Sequence, residues 1–277
     1  MQKTRARDYI IFIIMLILSI VFLSPILIVL MNSFKGKFFI SDTPFDLPTS
    51  TTSAGLNNYT SGVGKTDFFS AFGMSLFITV CSVAVIVLLT AMTAWYITRV
   101  KGKFTSLLYY VFVFSMIVPF QMVMFTMVKT ANMLHIDNPI GLIFIYLGFG
   151  AGLSVFLFSG FVKSIPLEVE EAVMIDGCGP IQAFFKVVFP ILKPIAITVA
   201  ILNVMWIWND YLLPNLVIGT EYKTIPIAIQ YLKGGYGSID MGAMMAMLVL
   251  AIVPIVIFYL FCQKYIIEGV VAGAVKG

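Results

Sequence analysis

Charge is what this chain has least of. Only 11% of its 277 residues are Asp, Glu, Lys or Arg, 60% are hydrophobic, and the mean hydropathy is +1.03. A soluble domain needs a charged surface, so this balance excludes one and points to a polytopic membrane protein. Histidine occurs once, at His135, with no second histidine or carboxylate cluster to complete a metal set. Cysteine occurs three times: Cys81 and Cys262 fall in apolar runs and Cys178 in a polar stretch, without metal-ligand spacing and without a pair placed for oxidation. No nucleophile, metal set or acid–base pair sits at the depth a membrane-embedded enzyme requires. The net charge of +4 needs no nucleic acid, because basic loops at one membrane face account for it.

What the chain has is long apolar runs. Six of them, near 9–32, 69–98, 104–128, 139–162, 191–213 and 242–263, reach the roughly 20 residues that a membrane helix needs. The expected fold class is an all-α membrane protein with six transmembrane helices. The first run follows Lys3, Arg5 and Arg7, as a signal peptide would. It is too long for a signal core, and Leu23-Ser24-Pro25-Ile26 offers no small-residue cleavage site, so an uncleaved span is expected. With the N-terminus inside, 11 of the 17 Lys and Arg residues fall on the inner side, and the short Arg99–Lys103 loop is the cleanest marker. Both termini and the stretch Ser164–Pro190 are then cytoplasmic.

Between the first two runs lies an external segment, about Asn32 to Phe68, rich in Ser, Thr, Gly and Asn. Its Gly62-Val63-Gly64-Lys65-Thr66 ends like a phosphate-binding loop. Tyr59 stands where the first glycine is required, and no strand precedes it, so the chain is expected to carry no nucleotide site or other cofactor of its own. Pro119 and Gln121 interrupt the third run; a proline there marks either a pathway-lining helix or a packing kink. Gly148, Gly150 and Gly152 in the fourth run suit close helix packing. In the fifth, Asn203, Trp206 and Asp210 recur at i, i+3 and i+7, beside Trp208, Asn209 and Tyr211. An intramembrane aspartate is costly and should face water or the bundle interior, and amides beside indole rings are how proteins hold sugars. Asn203, Trp206, Asn209 and Asp210 are the substrate-pathway candidates. The competing reading is an ordinary helix end at the outer interface, which Pro214 and Asn215 support for Asp210 and Tyr211.

The stretch Ser164–Pro190 reads as two short helices with a sharp break. Ser164 and Pro166 suit a helix start, and Glu168, Glu170 and Glu171 lie near its positive end. Asp176-Gly177 closes it, and Gly179-Pro180 opens the second helix. There Ile181, Phe184, Phe185 and Val188 fall at i, i+3, i+4 and i+7, which predicts one apolar face. The pair is too polar to cross a bilayer and is expected at its surface.

Glu171-Ala172-Val173, three residues, Gly177, nine residues and Val187-x-Phe189-Pro190 resemble the EAA loop of the membrane-spanning subunits of binding-protein-dependent ABC importers. Val173 stands where a second alanine is usual and Phe189 where leucine is usual. Asn57-Asn58-Tyr59, Ala94-Trp95-Tyr96-Ile97-Thr98-Arg99, Trp208-Asn209-Asp210-Tyr211 and the closing Gly273-Ala274-Val275-Lys276-Gly277 resemble the sugar-importer branch, in its smaller, maltose-permease G type, nearest to raffinose and multiple-sugar permeases. The resemblance covers nearly all of 1–277 and implies a single type I importer transmembrane domain, with residues 164–190 as the coupling loop between spans four and five. It implies ATPase coupling through Glu171, Ala172, Asp176, Gly177 and Pro190. The implied partners are a second homologous permease, a cytoplasmic ABC ATPase dimer that binds ATP and Mg, an extracellular sugar-binding protein and membrane lipid, in a bacterial cell membrane. A permease for a polyol phosphate such as glycerol phosphate is the alternative within the family. An anionic solute would favour a basic residue deep in a span, and none is there. A self-contained secondary transporter is the alternative outside it, and would call for ionisable residues at mid-membrane and inverted repeats.

Overall fold

The computed structural model describes residues 6–175, 177–230, 232 and 240–274. Every regular element among them is helical: α1 (Ala6–Asn32), α2 (Lys37–Asp42), α3 (Asn57–Thr66), α4 (Phe68–Arg99), α5 (Lys103–Ser115), α6 (Phe120–Met133), α7 (Pro139–Val162), α8 (Leu167–Ile175), α9 (Pro180–Ala183), a π turn at Phe184–Val188, α10 (Phe189–Ile191), α11 (Lys193–Asn209), α12 (Leu212–Val217), α13 (Ile225–Gln230) and α14 (Met241–Ala274). The chain gathers into two compact units. Met1–Phe69 and Ala228–Pro254 form one; Ser70–Ile227 and Ile255–Gly277 form the other.

In the first unit, α1 is apolar on all sides, and no residue of its most apolar 18-residue window is buried. Its far end is fastened to α3. The Ser33 and Tyr59 hydroxyls lie 2.7 Å apart, and the Asn58 side-chain amide donates to the carbonyls of Ser33 and Lys35, both at 2.8 Å. Asn58 can approach α14 because Gly242 has no side chain; a Cβ there would meet the Asn58 amide. Lys35 is fully buried, and its ammonium donates to the Thr43 carbonyl at 2.6 Å, where α2 ends and its carbonyl dipoles favour a cation. The segment Gly62–Thr66 is the end of α3, not a loop ahead of a helix: Gly62 packs on Met247 and Lys65 pairs with Asp240.

In the second unit, Ile86, Tyr146, Phe158, Phe184, Val188, Leu192 and Val199 make a solvent-free core. Gly150 and Gly152 let α7 into it. A Cβ on Gly150 would lie 2.8 Å from Ile86 and 2.9 Å from Asn203, and one on Gly152 would lie 2.7 Å from the Phe112 carbonyl of α5. Gly148 touches nothing in this way and instead lines an apolar cavity of about 560 Å³ with Val111, Met127 and Phe149.

Among the described residues four helices are long and apolar enough to cross a membrane, and up to six spans result if each of two bent pairs counts as one. The third run, expected over 104–128, is two helices, α5 and α6, bent by 107°. Pro119 disfavours helical backbone at the residue before it and itself takes an extended ψ of 137°, so the helix must restart at Phe120. The fifth run, expected over 191–213, starts only at Lys193, after a 77° bend. Pro194 has no N–H to bond back and would crowd the Pro190 carbonyl, which places the break at Leu192.

Candidate functional site

The helix–turn–helix after α7 begins without the expected cap. The Ser164 hydroxyl donates backwards to the Phe161 carbonyl at 2.7 Å, so Pro166 alone leads into α8. Along α8, neighbouring carboxylates part ways. Glu171 and Ala172 are exposed, whereas Glu170 is only 2% exposed. Glu170 accepts hydrogen bonds from Arg99 Nε at 2.9 Å and Arg99 Nη2 at 2.6 Å on one oxygen, and from Trp95 Nε1 at 2.8 Å on the other. Arg99 Nη2 also donates to the Ile165 carbonyl at 2.9 Å. The C-terminal end of α4 is thereby tied both to α8 and to the turn before it. The sequence marks Arg99 for topology and within the Ala94–Arg99 resemblance, and Glu170 among the first-turn acids, without pairing the two.

Gly177 ends α8 with a φ of +86°, a left-handed backbone that L-residues rarely take. Two bonds close the turn around it, Gly177 N–H to Met174 O at 3.1 Å and Cys178 N–H to Val173 O at 3.2 Å. This is the paired pattern of a Schellman motif, with Gly177 in the position that favours glycine. Asp176 lies outside the described residues.

Gly179 and Pro180 start the second helix as expected, with Gly179 as cap residue and Pro180 in the first turn. The helix does not keep one apolar face. Pro190 lacks an N–H and its ring displaces the Lys186 carbonyl, and the turn ahead of it opens into π geometry, with the Phe189 N–H reaching the Phe184 carbonyl. The wider turn sets Phe184, Val188 and Leu192 on the buried side at intervals of four. The Phe184 ring packs 5.5 Å from that of Trp95. Ile181 and Phe185, expected on the same face, are exposed. Met174 and Ile175 of α8, at i+3 and i+4 from Glu171, are exposed as well and extend that edge of α8 as an apolar patch.

The fifth-run candidates do not share a face. Asn203 is buried against α7, donating to Ser154 Oγ at 3.3 Å and to the Val199 carbonyl at 2.8 Å. Trp206 and Asn209 lie on an open side of α11 with Leu202 and Met205. The Trp206 ring meets Tyr146 edge-on at 5.4 Å. Asp210 lies past the helix end: one oxygen accepts the N–H groups of Leu212 at 3.0 Å and Leu213 at 3.3 Å, and the other accepts the Tyr146 hydroxyl at 3.2 Å. It caps α12. Among these four, Trp206 and Asn209 are exposed, Asp210 is half-buried and Asn203 is buried.

Helices of membrane length, with a helix–turn–helix clamped to the end of α4, define a multi-pass membrane component. The family described as "Binding-protein-dependent transport system inner membrane component" matches over residues 86–271, and the chain belongs to it. It is 39% identical over the whole of both chains to the "Probable starch degradation products transport system permease protein AmyC" of Thermoanaerobacterium thermosulfurigenes. It is 34% identical to the "Multiple sugar-binding transport system permease protein MsmG" of Streptococcus mutans, over 93% of each chain. It is 30% identical to the "Melibiose/raffinose/stachyose import permease protein MelC" of Bacillus subtilis, over 91% of each. A crystal structure of a bacterial ABC transporter involved in the import of the acidic polysaccharide alginate includes a chain of the same fold, with a TM-score of 0.77 and 21% identity, covering 96% of this chain and 99% of that one.

Proposed function

We propose that this chain is the permease subunit of a bacterial ABC importer that carries a neutral oligosaccharide by alternating access. The observation that carries the reading is the exposed edge of α8. Glu171 and Ala172 stand open beside an apolar patch, on a helix whose end is fixed by Gly177 and whose base is clamped by Arg99. Glu171 makes a charge-assisted contact with a basic residue of a cytoplasmic ATPase, and Ala172 lets the two backbones approach. Met174, Ile175, Ile181 and Phe185 fill an apolar cleft there. Pro190 fixes the π turn that carries the second helix back to the bundle. ATP and Mg are bound by that ATPase, and the free energy enters this chain as a mechanical contact.

The names of the relatives, for starch products, multiple sugars and raffinose-type sugars, support an oligosaccharide as the solute. The spans hold no basic residue away from their ends, which favours a neutral solute over a polyol phosphate. Trp206 and Asn209, on the open side of α11, are the pathway residues in this reading. A second permease covers α1 and that side of α11, a binding protein delivers sugar at the outer face, and both termini are cytoplasmic.

The test is purification of the tagged chain from its host in mild detergent. Co-purification of a second permease and an ATPase, with ATP hydrolysis that responds to binding protein and sugar and is lost in Glu171→Lys, supports the assignment. A chain that purifies alone and moves solute unaided in vesicles overturns it.

A further inference from the structure

A second site lies where α4 ends, α5 begins and α7 ends. A cleft of about 280 Å³ there is lined by Lys101, Gly102, Ser106, Tyr110, Ser159 and Lys163, among others, and no acid is among its lining residues. Lys101 and Lys163 make no ion pair among the described residues, and the Lys163 ammonium lies 5.6 Å from the centre of the Tyr109 ring. The N-terminus of the 13-residue α5 opens into the cleft. Gly102 is its cap position and makes no side-chain cap bond, so the first N–H groups of α5, at its positive dipole end, have no side-chain acceptor from the cap. Within the cleft Ser159 is 1% exposed, and its hydroxyl has no hydrogen-bond partner. A buried hydroxyl without a partner is costly in a native fold and calls for one. Two ammonium groups, a helix N-terminus and an orphan hydroxyl together form a receptor for a compact anion with several acceptor oxygens, which is a phosphate group.

The surroundings say where that phosphate comes from. α4 and α7 are both membrane-length helices, so their ends lie at headgroup depth. From the cleft, Leu107, Tyr110, Val111 and Phe114 run along one exposed side of α5 at i, i+3, i+4 and i+7. That stripe starts at the cleft through Tyr110 and leads about 10 Å into the apolar layer. We infer that the cleft binds the phosphate headgroup of an anionic phospholipid, with an acyl chain laid along this side of α5. Basic pockets between membrane helices hold anionic headgroups in this way. The bound lipid bridges the α4–α5 loop and Lys163, the residue that leads into the helix–turn–helix.

The full chain, purified in mild detergent with whatever partners it retains, is offered phosphatidylglycerol or phosphatidylcholine of one acyl length, and bound lipid is counted by native mass spectrometry. Phosphatidylglycerol retained at least about tenfold over phosphatidylcholine, with that preference lost in the Lys101→Ala/Lys163→Ala double variant, is the expected result. Ser159→Ala, which removes one oxygen from the cleft and adds no volume, weakens retention several-fold at unchanged helix content. A preference that survives the double lysine variant overturns the site. Inorganic phosphate at millimolar concentration that displaces the lipid completely, with the same lysine dependence, overturns the lipid assignment and leaves a free-anion site. Each readout is independent of sugar uptake, so loss of the importer reading does not alter it.

Discussion

Arg99 holds Glu170 through two nitrogens, at 2.9 and 2.6 Å, at a place where the carboxylate is 2% exposed. Trp95 takes the other oxygen, so neither oxygen of Glu170 is left without a donor. Removing one partner of such a pair leaves a buried charge alone, which costs about 3 kcal/mol or more, while replacing both with apolar groups is often close to neutral. Glu170→Ala is therefore expected to lower thermal stability sharply, and Glu170→Leu with Arg99→Met to recover most of it. Thermal unfolding of the three detergent-purified chains checks this; a double variant no better than the single one would show that the clamp contributes through more than its charges.

Gly177→Ala is expected to cost about 1 kcal/mol, because its φ of +86° is strained for a residue with a Cβ. There is room for the methyl itself, since nothing lies within 4 Å of that position. The penalty is thus conformational, and Gly177→Asn, which tolerates left-handed backbone better, should recover part of it. Equal stability of the alanine variant and the parent would contradict the turn described above.

Asp210 is bound by two backbone N–H groups and one phenol, which is the environment of a cap. Asp210→Asn keeps an acceptor oxygen for Leu212 and Leu213 and should transport sugar with near-parental affinity. Asp210→Ala loses the cap, at about 1 kcal/mol of stability. Uptake assays on both variants separate a cap from a sugar ligand: a large rise in the apparent KM of the asparagine variant would restore Asp210 to the pathway.

Asp240 gives a pH signature. Burial raises its carboxyl, but the hydrogen bond from Lys65, the Ala243 N–H and the charges of Lys65 and Lys37 outweigh that, and it titrates below its ordinary 3.8. A depressed folded pKa means the contribution is complete above the unfolded value and is lost as pH falls through the folded one. Thermal stability should therefore hold down to about pH 3.8 and drop below it. Lys65→Met removes the largest cause of the lowering and should make that drop smaller, while it still begins near the unfolded value. An acid limb unmoved by the substitution would remove the pair from the balance.

Much of this was legible in the sequence where a single residue type dictates geometry. Gly177 had to turn the chain, Gly179-Pro180 had to open a helix, and the apolar runs had to be membrane helices. What escaped was phase. Which of Glu170 and Glu171 turns inward depends on the residue at which α8 begins, and Ser164 and Pro166 offered two plausible starts. The expected face of Ile181, Phe184, Phe185 and Val188 assumed 3.6 residues per turn, and Pro190 imposed a wider turn. Asn203 and Asp210 were aligned by counting through a helix that stops at Asn209. The two bends at Pro119 and Pro194 were each marked by a proline, but their angles depend on packing against elements far along the chain.

The bend after Ser115 sets the thickness of the barrier at that point. A 13-residue helix rises about 20 Å, against about 30 Å for the hydrocarbon layer. α5 therefore ends some 10 Å short of the opposite boundary, and the irregular backbone at Met116–Pro119 lies inside the layer. Lipid tails offer that backbone nothing to bond to, so water or another protein must reach it there.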